Sequence, residues 1–191
     1  MTKKKIIEDI IKHSSTAKDK NTLKLIPQFY CDQNWIINAH SIYKDAKMPS
    51  LEIESTMSES VISTAEGLFT DSKLRELSSA IEIDTSVLKA WIREHRRNDC
   101  VKKPFIIGLK KGECIRYICI NGWYLRNQLE YLKDNRIFIE PDKFRPCGDY
   151  AKVYVGFVYS FSDDFNTTMC ATLPVLWNGE LQADYMIKER G

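Results

Sequence analysis

Residues 74–93 read LRELSSAIEIDTSVLKAWIR, and this stretch decides the fold that the sequence predicts. Its apolar side chains stand at the spacing of two short helices separated by a break: Leu77, Ile81, Ile83, Leu88 and Trp91. Asp84 precedes Thr85 and can accept hydrogen bonds from the unpaired N–H groups at the start of a helix. The stretch therefore predicts a first helix that includes Ile81, a break at Ile83 and a second helix that begins at Thr85.

These two predicted helices resemble the helix-turn-helix of DNA-binding transcription regulators. Ser78 lies where that family has a small residue, Trp91 lies where it closes the core, and Glu82 stands where it usually has glycine. The resemblance implies that the second helix enters the major groove of DNA. It also implies that four side chains of this helix face the DNA: Thr85, Ser86, Lys89 and Arg93.

Charge is strongly segregated along the chain. Residues 49–72 contain five acidic and no basic residues, whereas residues 89–111 contain eight basic and two acidic residues. Neutralisation of phosphates supplies most of the non-specific affinity for DNA, so the basic block marks the place of an interface. Beyond the second helix, six residues are predicted to anchor the DNA backbone: Arg96, Arg97, Lys102, Lys103, Lys110 and Lys111. The alternative is that these cations complement a helix dipole and form a solvated surface.

The predicted fold is α+β, with a domain boundary between residues 103 and 104. The N-terminal half is predicted to be mostly helical, partly because residues 28–47 (QFYCDQNWIINAHSIYKDAK) carry apolar side chains at helical spacing. The C-terminal half is predicted to be an antiparallel sheet with one helix from residue 121 to about residue 135. Its strands are predicted at residues 104–109, 114–120, 137–140, 152–160 and 168–177, with a hairpin turn at Asn178-Gly179. The hairpin of residues 104–120 is either the wing of a winged helix or the start of the C-terminal sheet.

Composition indicates a folded protein of the cytoplasm. The six cysteines show no CxxC spacing and the three histidines lie far from any pair of cysteines, which favours reduced, packed thiols over zinc or disulfides. The sequence contains no run of about 18 apolar residues, which a membrane-spanning helix would require. The basic N-terminus lacks the apolar stretch of a signal peptide. No nucleotide-binding, hydrolase or metalloprotease motif occurs, so neither an enzyme nor a cofactor is predicted.

The sequence thus predicts a DNA-binding transcription regulator that acts on double-stranded DNA as a homodimer. Its C-terminal half would bind a small effector or a protein partner. The alternative is a protein-binding module, such as an effector, an inhibitor or an immunity-type protein. In that case the helix pair is only scaffold, and the segregated charges dock a partner.

Overall fold

The computed structural model describes residues 1–19, 21–38, 40–70, 81–100, 102–132, 135–139, 158–162, 168–172, 177 and 179–188. Five helices lie in these ranges: α1 (Lys3–Lys12), α2 (Ser60–Leu68), α3 (Thr85–Glu94), α4 (Arg97–Cys100) and α5 (Gly122–Tyr131). Twelve strands lie there as well: β1 (Thr16–Lys18), β2 (Leu25–Pro27), β3 (Phe29–Cys31), β4 (Trp35–Asn38), β5 (Ser41–Asp45), β6 (Ile81–Ile83), β7 (Pro104–Lys111), β8 (Cys114–Asn121), β9 (Asn135–Ile139), β10 (Val158–Ser162), β11 (Thr168–Thr172) and β12 (Tyr185–Lys188).

The main sheet has seven strands in the order β3-β4-β5-β11-β10-β9-β6, and all neighbours are antiparallel. Strands from both halves of the chain combine in it, since β5 pairs with β11 in a register that sets Ser41 opposite Thr172. A second sheet has the order β12-β7-β8, and β1 pairs with β2 in a separate two-stranded ribbon.

The prediction of a mostly helical N-terminal half is wrong, because residues 28–47 contain β3, β4 and β5. This part of the sheet is buried on both faces: Trp35 and Ile37 pack on one side and Ile36 packs on the other. A strand buried on both faces gives a continuous apolar run instead of an alternation, and such a run can also match helical spacing. Asn38 builds the turn after β4, since its Oδ1 accepts a hydrogen bond from the Ser41 N–H at 2.8 Å.

The stretch 74–93 also differs from its prediction. Residues 74–80, where the first helix was predicted, lie outside the described residues. Ile81 and Ile83 belong to β6, which pairs with β9, so these residues form neither a helix end nor a break. Glu82 lies within β6 and does not have the positive φ of a glycine in a turn. Leu23 is the one non-glycine residue with positive φ in the described part of the chain. The second helix is confirmed: it begins at Thr85, and the Asp84 side chain accepts a hydrogen bond from the Ser86 N–H.

The predicted hairpin and the helix after it are confirmed. β7 and β8 pair up to Lys111 and Cys114, and Gly112 makes the tight turn with a φ of 60°. The Asn121 side chain caps the start of α5. The chain beyond Gly179 does not return as the antiparallel partner that was predicted, because β12 pairs with β7 in parallel. Asn178 lies outside the described residues.

Three apolar clusters hold these layers together. The first joins α3, the β7–β8 hairpin and α5 to β9, and the second packs α1 against α5 and one face of the main sheet. The third packs α2 against the opposite face. Ile137 and Ile139 belong to the first cluster and Phe138 to the third, so α3 and α2 lie on opposite faces of the same sheet.

Two glycines on helices should respond oppositely to the same substitution. A Cβ at Gly122 would lie 2.5 Å from the Trp91 ring and 2.8 Å from the carbonyl oxygen of Lys103, whereas a Cβ at Gly67 would have no atom within 4 Å. Gly122→Ala should therefore lower the free energy of unfolding by about 1–3 kcal/mol through overpacking. Gly67→Ala should raise it by roughly 0.5–1 kcal/mol, because alanine is the better helix former. Urea denaturation measures both, and equal effects of the two changes would contradict the close packing at Gly122.

Candidate nucleic-acid interface

Helix α3 presents one side to the core and the other to solvent. Leu88 and Trp91 are buried, and the Trp91 ring meets Phe105 edge-on with 5.6 Å between centroids. Of the side chains predicted to face DNA, Ser86, Lys89 and Arg93 are exposed and Thr85 is half-buried. The helical periodicity of the sequence thus predicted the solvent-facing side of α3 correctly.

The N-terminal end of α3 is acidic. Glu82 forms an ion pair with Arg136, with two hydrogen bonds of 2.8 and 2.6 Å, and these bonds lower the pKa of Glu82. Hydrogen bonds from Ser86 lower the pKa of Asp84, the N-cap residue. Both carboxylates are therefore ionised at neutral pH, and Asp84 opposes the approach of phosphate to this end of the helix. Arg136 offsets the charge of Glu82, a role that sequence analysis missed because the two residues meet only through the pairing of β6 with β9.

The C-terminal end of α3 and the connection to β7 are basic. Backbone hydrogen bonds from Cys100 to Arg96 (3.1 Å) and from Lys103 to Asp99 (3.0 Å) fold this connection into a compact turn over the buried Cys100. Five exposed cations lie on α3 and this turn, and we call them the α3 basic surface: Lys89, Arg93, Arg96, Lys102 and Lys103. None of the five forms an ion pair with another residue of the described ranges. Arg97 lies in the same turn, and its side chain is outside the description.

The α3 basic surface lies at the N-terminal end of α5. The Lys103 carbonyl and the Trp91 ring both pack against Gly122, the first residue of that helix. The His95 ring stacks on Trp91 with 4.2 Å between centroids, and Arg126 of α5 donates a hydrogen bond to the His95 carbonyl. These contacts fix the position of the surface on the body of the protein.

The tip of the hairpin carries a separate basic group. β7 has eight residues, so its two ends lie roughly 23 Å apart at about 3.3 Å per residue. Lys110 is exposed near the tip, and Lys188 is its neighbour on β12, which sequence analysis did not predict. The backbone of Lys111 pairs with that of Cys114, and the Lys111 side chain is not among those that the structure describes. The predicted anchor residues therefore form two groups, and the α3 basic surface is the larger one.

The α3 basic surface and the exposed acids of α2 lie on opposite faces of the main sheet. Glu59 directly precedes α2 and Glu66 lies in it, and both side chains are exposed. The α3 basic surface lies on the other face, because α3 and α2 pack on opposite sides of β9. The sequence contains both charge blocks, but only the alternation of side chains along β9 separates them in space.

One cavity, of about 360 Å³, is lined by Cys31, Asp32, Met48 and Leu51 among others. Burial, and to a lesser extent the charge of Asp32, raises the pKa of the Cys31 thiol to about 11, so it is protonated at neutral pH and a poor nucleophile. Asp32 Oδ1 accepts hydrogen bonds from the Asn34 and Trp35 N–H groups at 2.7 Å each, which commits the carboxylate to a turn. Neither Cys31 nor Asp32 is therefore activated for catalysis.

In the described part of the chain, no group of three or more His, Cys, Asp and Glu side chains could hold a metal ion. No helix there has the length and apolar character needed to cross a membrane. Comparison with protein families, with curated proteins and with solved structures finds nothing that matches this chain.

Proposed function

We propose that the protein binds double-stranded nucleic acid and holds the phosphates of its backbone with the α3 basic surface. The observation that supports this most is the concentration of five exposed cations on one helix and the turn that follows it. No described residue forms an ion pair with them. Such a group of cations can neutralise several phosphates of a duplex, and this neutralisation releases counterions.

The position of two exposed acids supports the same function. Glu59 and Glu66 lie at α2, on the face of the sheet opposite to α3. Their repulsion of a polyanion favours approach of a duplex to the α3 basic surface.

The proposal assigns contacts to phosphates and not to base edges. Asp84 caps the N-terminus of α3, next to Thr85 and Ser86, and an ionised carboxylate there disfavours insertion of this end into a groove. We therefore expect affinity with little sequence preference. A regulatory role, a homodimer and an effector in the C-terminal half remain predictions from the sequence.

A charge-reversal pair tests the proposal. Lys89→Glu with Arg93→Glu should weaken binding of a labelled random duplex on the order of 50-fold at about 0.1 M salt, since each lost phosphate contact removes close to one released counterion. Both side chains are exposed, so the thermal midpoint should hardly change. Fluorescence anisotropy measures the affinity and circular dichroism measures the midpoint.

The matched control reverses the charge of two exposed lysines near the C-terminal end of α5. Lys4 and Lys47 neighbour Lys3 and Asp45, which contact Tyr131 at the C-terminal end of that helix. Lys4→Glu with Lys47→Glu changes the net charge equally, so it should cost much less affinity than the pair on α3. Equal losses for the two pairs would mean that net charge alone attracts the duplex, and would contradict a specific surface.

A further inference from the structure

The ribbon of β1 and β2 has an apolar tip that nothing in the described residues covers. Leu23 and Leu25 are 65% and 69% exposed, the highest values among large hydrophobic side chains of these residues. The ribbon is a two-stranded sheet of its own, with three paired residues on each strand. Exposure of two neighbouring leucines to water is unfavourable, so the tip is suited to contact with another molecule.

A positive φ and several hydrogen bonds define the conformation of the turn at the tip. Leu23 has a φ of 58°, which costs a side chain other than glycine on the order of 1 kcal/mol. Asp19 holds the turn, since its Oδ1 accepts hydrogen bonds from the Asn21 N–H at 3.1 Å and from the Thr22 hydroxyl at 2.7 Å. The Leu23 N–H donates to the Asp19 carbonyl at 3.0 Å. Strain that a surrounding hydrogen-bond network maintains is typical of residues positioned for a function.

The base of the ribbon lies near the N-terminal end of α5, where the α3 basic surface also lies. α1 ends at Lys12, and the His13 ring that follows packs on Trp123 with 4.4 Å between centroids. Trp123 follows Gly122, which contacts Trp91 of α3. The Gln28 N–H donates to the Ser15 carbonyl at 2.7 Å and closes the base of the ribbon.

Lysines flank the apolar tip. Lys18 pairs with Leu25 across the ribbon, and Lys24 lies between the two leucines in sequence. Both lysines are exposed, as is Lys12 at the end of α1. The ribbon thus places two aliphatic side chains beside lysines at the end of α5 where the α3 basic surface also lies.

From this arrangement we infer that the ribbon is a wedge for duplex DNA: Leu23 and Leu25 insert at a base step while Lys18 and Lys24 contact the flanking phosphates. An aliphatic side chain in the minor groove can unstack neighbouring bases and kink the duplex. The hydrogen-bonded turn reduces the entropy that a flexible loop would lose on insertion. The inference rests on the proposed function, because the same duplex would lie on the α3 basic surface.

The test uses a duplex with 2-aminopurine at its central steps and a donor–acceptor pair at its ends. The full chain should raise the 2-aminopurine fluorescence, and energy transfer should report a kink of about 20–90°. Leu23→Asn with Leu25→Ser should abolish both signals while salt-dependent binding persists. Asparagine tolerates positive φ, so this variant keeps the turn. Lys18→Gln with Lys24→Gln should reduce the slope of log affinity against log salt by close to two.

The outcomes separate the wedge from the proposed function. Binding of the duplex by the wild type without unstacking or kinking would overturn the wedge and leave the function standing. No binding of any duplex at low salt would overturn both. Binding to vesicles of anionic phospholipid that the leucine variant loses, with no distortion of the duplex, would overturn the wedge in favour of a lipid contact.

Discussion

Replacing Asp45 by alanine is expected to lower the free energy of unfolding by about 3 kcal/mol, because it removes the centre of a buried polar cluster. Asp45 is 1% exposed, and its Oδ2 accepts hydrogen bonds from the Lys3 ammonium at 2.6 Å and from the Tyr131 hydroxyl at 2.8 Å. Its Oδ1 accepts from the Lys47 N–H at 2.9 Å. The substitution leaves the buried Tyr131 hydroxyl with only the weak acceptor Met48 Sδ at 3.3 Å, and this is the main cost.

Urea denaturation at neutral pH measures this loss. Asp99→Ala is the control, since Asp99 is an exposed aspartate and its loss should change stability by less than about 0.5 kcal/mol. A similar small effect at Asp45 would mean that α1, β5 and α5 are held together by apolar packing alone.

The hydrogen bonds of Asp45 also determine whether the stability of the fold rises or falls with pH. Burial acts to raise the pKa of Asp45, but the hydrogen bonds from Lys3, Lys47 and Tyr131 outweigh it and hold the pKa below its usual range. A carboxyl with a lower pKa in the folded protein stabilises the fold above the pKa of the unfolded chain, about 3.9, and this stability is lost as the pH falls below that value. The stability difference between wild type and Asp45→Asn should therefore narrow between roughly pH 5 and pH 2. A difference that stays constant over this range would contradict an ionised Asp45 in the folded protein.

Local signals in the sequence were sufficient for the elements next to the candidate interface. Asp84 as a cap predicted the start of α3, and Gly112 predicted the turn between β7 and β8. Each of these signals acts over a few neighbouring residues. Helical periodicity placed Leu88 and Trp91 on one face of α3. The helix-turn-helix resemblance implied that Lys89 and Arg93 face outward, and both side chains are exposed.

Long-range pairing decided the elements that sequence analysis missed. Residues 81–83 have the composition of a short strand or of the end of a helix, and only pairing with β9 settles the choice. Tyr43 of β5 lies opposite Cys170 of β11, far away in sequence, so neither shows its partner locally. The parallel addition of β12 to β7 is equally non-local. Spacing within one segment carries no information about such partners.

The sequence shows the cationic residues of the candidate site but not how they are arranged in space. The basic block was visible in the sequence, yet its division into the α3 basic surface and the hairpin tip follows from the length of β7. The ribbon and its exposed leucines were not predicted, because β1 and β2 have only three residues each, too few to show an alternation of apolar and polar side chains. Both findings move the proposed contact from the N-terminus of α3 toward its C-terminal end and the ribbon.

The largest expected effect is the fall in affinity for a duplex as the salt concentration rises. Five cations on phosphates release close to five counterions, which gives a slope of about −4.5 in log affinity against log salt. Affinity should then fall by roughly 10²- to 10³-fold between about 50 and 200 mM salt. Contacts from Lys18 and Lys24 of the ribbon would steepen this slope. A steep slope with little difference between duplex sequences would match contacts to phosphates.

Fluorescence anisotropy of a labelled random duplex, titrated with the protein at these two salt concentrations, is the most direct test of the central claim. The account predicts micromolar or tighter binding at the lower concentration and a loss on the order of 10²-fold or more at the higher one. Absence of binding at micromolar protein and low salt would contradict the account. The α3 basic surface would then be assigned to the docking of a protein partner.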